Sequence, residues 1–405
     1  MYARRIAIVA LTIVLITAVF TGVVNAFSSA PRPAVRGALA NVRDYQATAA
    51  GSGYAVDGGA LFAGTPGAWV QVITPANVIV SAVAVDPSDE QTVYIGAANE
   101  LAVYRSQDAG ATWLRVPLTN EYIGGVTDIA IDGAQHLVYV GTDTAGVFRL
   151  RDVGASVVLG GQLLLDEPVL QVVADSTGKG LAFARTEWNL YRAENFGLAW
   201  VTVENLKSVP TAVAIANTDP AQVYVGTVDR GLLVSEDGRE WALANTGLGL
   251  NPGTRLSVDA IAVDPAQPEV AYIATSYLNG ATQTVAAPVG VSMSADAAQV
   301  WTPVADSQQL AVAELLPVSG VSGAVFALTT DSRTPLALGN APVMTAAVEI
   351  PAVTTAAGIS LTALLAWFIA GLAAVALTFA VAADLRSRRP AVTGHLTPSP
   401  VRNDH

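Results

Sequence analysis

The sequence predicts an all-β fold, a six-bladed β-propeller carried between two apolar terminal segments. Three observations predict it. A unit of 40-odd residues recurs along the middle of the chain, a polar turn closes most of those units, and the composition is too apolar for an ordinary soluble domain.

The apolar excess comes from the ends. The chain has 405 residues, 52% hydrophobic and 13% charged, with mean hydropathy +0.45. Residues 1–26 hold an apolar run, Ile6 to Val24, behind Arg4 and Arg5. That is the pattern of a secretory signal or of an uncleaved anchor. Val24-Asn25-Ala26 offers small residues for cleavage after Ala26, whereas about 19 apolar residues also suffice to span a bilayer. Both readings stay open. Residues 27–50, with Pro31 and Pro33, read as a linker. At the other end, residues 346–355 read as a second linker. Residues 356–383 are unbroken by charge and predict a transmembrane helix. Arg386, Arg388 and Arg389 follow directly, so the tail 384–405 is expected in the cytoplasm. Arg4 and Arg5 place the N-terminus there too, and the middle of the chain is exported. The row Ala366, Ala370 and Ala374 is expected to be incidental in so Ala-rich a segment.

The exported part contains no cysteine, so its stability must come from burial rather than disulfides. Residues 51–345 carry 29 Asp+Glu against 12 Lys+Arg, a net of −17. So acidic a surface argues against nucleic acid or anionic lipid as a partner.

Within 51–345 the repeat begins with a short apolar run ending in Asp86, Asp132, Asp175, Asn217 or Asp264. A Val-Tyr-Ile-Gly type strand follows, as at 93–96, 138–141 and 223–226. A third strand then contains Val103-Tyr104-Arg105, Val147-Phe148-Arg149 or Leu190-Tyr191-Arg192. The turn after it is most complete at Ser106-Gln107-Asp108-Ala109-Gly110-Ala111-Thr112-Trp113. Ser235, Asp237, Gly238 and Trp241 repeat it one residue shorter, and Ser294, Asp296 and Trp301 repeat it at full spacing. Asn195, Gly197 and Trp200 keep part of it. Asp152 and Gly154 keep less, with no tryptophan after them. Each unit thus makes four short strands, and a period near 44 residues is the length of one propeller blade. The fragments 60–72 and 321–338 pair to form a shared sixth blade, so that N- and C-terminal strands close the ring. Segment 27–50 or the insertion at 276–290 would supply a seventh if either contributes strands.

The turn at 106–113 resembles the Asp-box, or BNR repeat, and residues 51–345 are similar to the BNR-like propellers. These include sialidases, xyloglucan-cleaving glycosidases, sortilin-type receptors and photosystem II assembly factors. The resemblance implies that Ser106, Asp108, Gly110, Thr112, Trp113 and their equivalents stabilise the fold on the turn between third and fourth strands, away from the channel. A sialidase reading requires three convergent arginines and an Arg-Ile-Pro start. The latter is missing, and Arg105, Arg149 and Arg192 occupy one repeated position on three blades. Single His136 in the domain, without cysteine, argues against a transition-metal site, and no cofactor is expected.

That leaves binding through the loops of the opposite face. Candidate contacts are Glu100, Tyr122, Asp143, Trp188, Asp229, Arg230, Tyr277, Asn279 and Arg333. The expectation is a non-enzymatic, membrane-anchored extracytoplasmic scaffold, assembly factor or accessory subunit whose partner is another membrane protein. The alternative is a cell-surface glycan-binding or sialidase-type hydrolase.

Overall fold

The computed structural model describes residues 9–19, 35–121, 123–249, 255–279, 285–342 and 361–387. Pro33–Ile350 forms one compact unit, and the two ends of the chain form another.

The first unit is a seven-bladed β-propeller, made of seven antiparallel sheets in chain order. Blades 1 to 7 take residues 35–71, 80–117, 126–163, 171–202, 210–243, 255–303 and 312–339. Blades 2 to 6 each have four strands, blade 1 has five and blade 7 three. The six-bladed expectation is therefore corrected. Its shared terminal blade does not exist, because each terminal fragment builds a sheet of its own. Val42–Ala47 and Gly53–Asp57, the first of them from the stretch read as a linker, supply the inner strands of blade 1. Val35–Arg36 pairs with the outer strand of the same blade, Ala68–Gln71. The insertion at 276–290 adds no blade. It lengthens two strands of blade 6 into the hairpin Ala271–Asn279 and Val285–Ser294.

The core is distributed rather than central. Seven apolar clusters each lie between two neighbouring blades. The seam between blades 7 and 1 follows the same rule, with Leu39, Val42, Phe62 and Trp69 against Leu316, Phe326 and Leu328. The ring closes by packing sheet faces, as every other seam does. The Val-Tyr-Ile-Gly signature has its cause here. A Cβ on Gly96 would lie 2.4 Å from Val126 Cγ1, and one on Gly141 would lie 2.8 Å from Val169 Cγ1. Glycine at this place lets the next blade approach.

In the second unit the apolar segments are helical, over residues 9–19 and Leu361–Ser387. Side chains of the longer helix are described from Phe368 to Ala383, with Ala370 and Ala373 buried. Among the described residues no helix is long and apolar enough to cross a membrane. The cleavage site after Ala26, Tyr122, the linker 346–355 and the tail beyond Ser387 lie outside the described residues.

Candidate functional site

Antiparallel order gives the propeller two unlike faces. Blade-to-blade connections and the loops between second and third strands share one face, the entry face. The turns after first and third strands share the other, the turn face. The inner strands surround a channel of about 790 Å³ whose polar lining includes Asp44, Asp128, Gln171, Arg185, Asp259 and Glu314.

A repeated backbone irregularity positions several of these side chains. Near its start, the inner strand of six blades carries a bulge, with Arg43, Ser81, Thr127, Thr211, Asp259 or Ala313 as the extra residue. A bulge re-aims the residues beside it, and here they reach the neighbouring blade. Asp44 accepts a hydrogen bond from Val83 N at 2.6 Å, and Asp128 accepts one from Val172 N at 2.8 Å. In blade 4, whose inner strand has no bulge, Gln171 accepts from Val213 N at 3.1 Å and donates to Val213 O at 2.9 Å. Ser81 donates to Val126 O at 2.6 Å and Thr211 to Val258 O at 2.5 Å. Asp259 instead accepts within blade 6, from Ser257 and Ser276.

Burial and mutual repulsion shape the charge in this channel. Burial pushes the Asp44 carboxyl up to about 6 against the pull of its backbone donors. Asp128 is raised well above the usual carboxylate range, first by burial and then by the charge of Asp44. Glu314 is pushed up to about 7 by the same two causes, although Arg333, 3.0 Å away, opposes them. A third of the Glu314 side chain, 32%, still faces the channel void, so solvent there tempers the effect. Burial lowers the Arg185 guanidinium, partly offset by Asp128.

The turn face carries a second set of interblade bonds. In the turn at 106–113, Ser106 Oγ accepts from Gly110 N at 2.7 Å and donates to Asp108 Oδ1 at 2.7 Å. Asp108 accepts from Thr112 N at 2.8 Å and from Thr112 Oγ1 at 2.6 Å. Those bonds, the Thr112 hydroxyl first, hold its carboxyl down at about 2. Ser294 and Asp296 rebuild the same pattern, and Ser235 and Asp237 build a looser one. Trp113 Nε1 donates to Ile73 O at 3.0 Å and Trp301 Nε1 to Ala244 O at 2.8 Å, each fixing its strand to the preceding blade. Trp200 meets Tyr139 edge-on at 5.9 Å, and Trp241 meets Phe183 at 6.5 Å.

The repeated arginines act with these turns. Arg105 reaches from blade 2 to Asp152 (2.6 Å) and to Gly154 O (2.8 Å) in blade 3, and Tyr94 joins it on Asp152 at 2.5 Å. Arg149 donates to Phe196 O of blade 4 at 2.6 Å, close to Asn195 and Gly197. Arg192 pairs with Glu194. These arginines stand on three blades and do not converge.

The candidate contacts scatter around the entry face, and most are engaged. Glu100 pairs with Arg115 at 2.5 Å, and Asp143 accepts from Gly125 N at 2.8 Å. Asp229 accepts from Ser208 at 2.5 Å, while Arg230 donates to Leu206 O at 2.5 Å. Tyr277 donates to Gly249 O at 3.1 Å, and Arg333 pairs with Glu314. Asn279 ends the long strand of blade 6. Trp188 differs from these, being 62% exposed at a hairpin tip. Its neighbour Asn189 holds Glu167 of the incoming loop at 3.0 Å, and that loop exposes Leu164 and Leu170. The bulge residues and the clasps built on them were missed by sequence reasoning. Their one signal was a polar residue early in otherwise apolar inner strands. Among the described residues no group of three or more His, Asp or Glu is arranged to hold a metal ion.

Fold and site together define an all-β, seven-bladed propeller whose polar channel residues tie blade to blade. The chain is similar to solved structures. A GH74 xyloglucanase from Xanthomonas campestris matches with TM-score 0.53 at 20% identity, over 74% of this chain and 52% of that one. The chain thus spans about half the length of that enzyme. YCF48 bound to D1 peptide matches with TM-score 0.48 at 15% identity, over 77% of this chain and 97% of that one. No protein-family model and no curated protein sequence matches the chain.

Proposed function

We propose that the chain is a non-enzymatic Asp-box propeller, tethered to the cell membrane, that serves as scaffold, assembly factor or accessory subunit of a membrane protein complex. The observation that carries this reading is where the channel's polar groups point. Asp44, Asp128 and Gln171 each bond backbone of the neighbouring blade, the work of a fold rather than of a reaction centre. The tether is read from the uncharged run 356–383 and the arginines after it, with the propeller on the extracytoplasmic side and the tail in the cytoplasm. Trp188, exposed next to Asn189, which holds the loop that exposes Leu164 and Leu170, is the aromatic anchor for a protein partner.

The test is isolation of the full chain from its native membrane in mild detergent. A membrane subunit should co-purify in fixed stoichiometry, and Trp188→Ala should weaken it by about 2 kcal/mol without lowering the melting temperature. Isolation of the chain alone would count against the proposal.

One observation favours a glycan hydrolase as second reading. Glu314 and Asp128 face the channel with raised carboxyl pKa, as a general acid requires. Turnover of any oligosaccharide in a panel, abolished by Glu314→Gln, would replace the first reading with this one.

A further inference from the structure

The outer strands of the blades are guarded in different ways, and blade 3 departs from the rest. Blade 1 has its outer strand covered by Val35–Arg36. The outer strand of blade 2, Leu114–Pro117, carries Arg115 and ends in proline. Blade 4 has four residues there, Ala199–Thr202. Blades 5 and 6 have two each, Ala242–Leu243 and Thr302–Pro303. In blade 7 the last described strand, Ser332–Gly339, contains Arg333 and Pro335. Short length, charge, proline and covering are the usual means of keeping a sheet edge from recruiting another chain.

Blade 3 has none of these four, and a bulge at Gly160 is the interruption in its edge. Its outer strand, Val157–Leu163, is seven residues long. No charged residue lies between Asp152 and Asp166. Val158 and Leu159 are 50% and 48% exposed. This is also the blade whose turn has no tryptophan after it, so the strand lacks the anchor that Trp113 and Trp301 give theirs.

We infer that this edge is a docking site for an extended segment of a partner protein, which adds to blade 3 as a fifth strand. The chemistry of the edge selects that occupant. Unpaired backbone donors and acceptors are matched by another extended backbone, and uncharged, half-exposed Val158 and Leu159 call for apolar side chains beside them. Blade 1 shows the geometry within this molecule, since Val35–Arg36 is such a fifth strand. Charge sets aside a second copy, because strand-to-strand pairing would hold two domains of net −17 side by side. A bulge at Gly160 divides the edge into runs 157–159 and 161–163. Each run is long enough for a contact like that of Val35–Arg36, and the interruption opposes open-ended stacking. The inference rests on the reading of the chain as a binding scaffold, but on a surface other than that of Trp188.

The test uses the full chain in detergent micelles and a fluorescein-labelled heptapeptide of alternating Thr and Val with a C-terminal Lys. Anisotropy should show saturable binding. Methylating alternate peptide amides, or Val158→Lys in the protein, should each weaken it at least tenfold, with the melting temperature unchanged. Trp188→Ala should leave peptide binding as it is. No saturable binding, or binding indifferent to amide methylation or to Val158→Lys, overturns the inference. So does a dimer in sedimentation that Val158→Lys dissociates, which would make a second copy the occupant. Loss of native-partner binding in Trp188→Ala bears on the scaffold reading alone.

Discussion

At the scale of single residues, some side chains tie a turn and others tie two blades. Hydrogen bonds from Thr112 and Ser106 hold the Asp108 carboxyl down at about 2. Its pKa is depressed in the folded state, so its contribution is present above the ordinary carboxylate range and is lost as pH falls toward about 2. Asp108→Ala should lower the melting temperature at pH 7 and leave the loss of stability between pH 4 and 2 shallower, while binding through Trp188 is retained. Thermal unfolding followed by circular dichroism checks both. Arg105 is buried against Asp152, with Tyr94 on the same carboxylate. Arg105→Met would strand that carboxylate and should cost about 3–5 kcal/mol in urea unfolding. These roles were partly legible. The motif at 106–113 is complete enough to read from the chain. The grip of Arg105 on a degenerate turn 47 residues later was not, because its partner has lost the serine and the tryptophan that mark the motif.

At the scale of strands and blades, the signature glycines carry the packing. Gly96→Ala would set a Cβ 2.4 Å from Val126 Cγ1, and the overpacking should cost about 1–3 kcal/mol by equilibrium denaturation. The period, the second strands and the turns were legible in the sequence because apolar alternation and turn chemistry repeat there. The inner strands of blade 1 were not. Val42-Arg43-Asp44-Tyr45-Gln46-Ala47 interleaves polar residues where the other inner strands run apolar, and Gly53–Asp57 lacks the Val-Tyr-Ile-Gly order. With those two strands concealed, the repeat in the sequence counts to six. The channel site was hidden for a related reason. Bulges shift which residue faces the next blade at Asp44 and Asp128, and Gln171 takes the same role from an unbulged strand, so the three share a role without sharing a residue type. An isolated sequence shows the polar residue but not its partner.

At the scale of the whole molecule, acidic groups at the channel and at the turns oppose each other across pH. Asp44 and Glu314 have folded-state pKa values raised to about 6 and about 7, so the folded chain holds their protons more tightly than the unfolded chain does. Stability from these two is greatest below the ordinary carboxylate range and declines as pH rises from about 4 to 7. The turn aspartates act on the acid side, as Asp108 does. The melting temperature should therefore be higher near pH 5 than at pH 8, and Asp44→Asn should flatten that decline. A scan of melting temperature against pH for both proteins decides it. The seam between blades 7 and 1 adds a mechanical property. Among the described residues no strand crosses it. Apolar faces and the bond from Thr334 Oγ1 to Ala40 O, 2.9 Å long, join the two sides. The chain enters and leaves the ring on opposite banks of this seam, so tension applied through the two ends would load the seam first. The propeller would yield there as a slit opens, with the six other seams still shut.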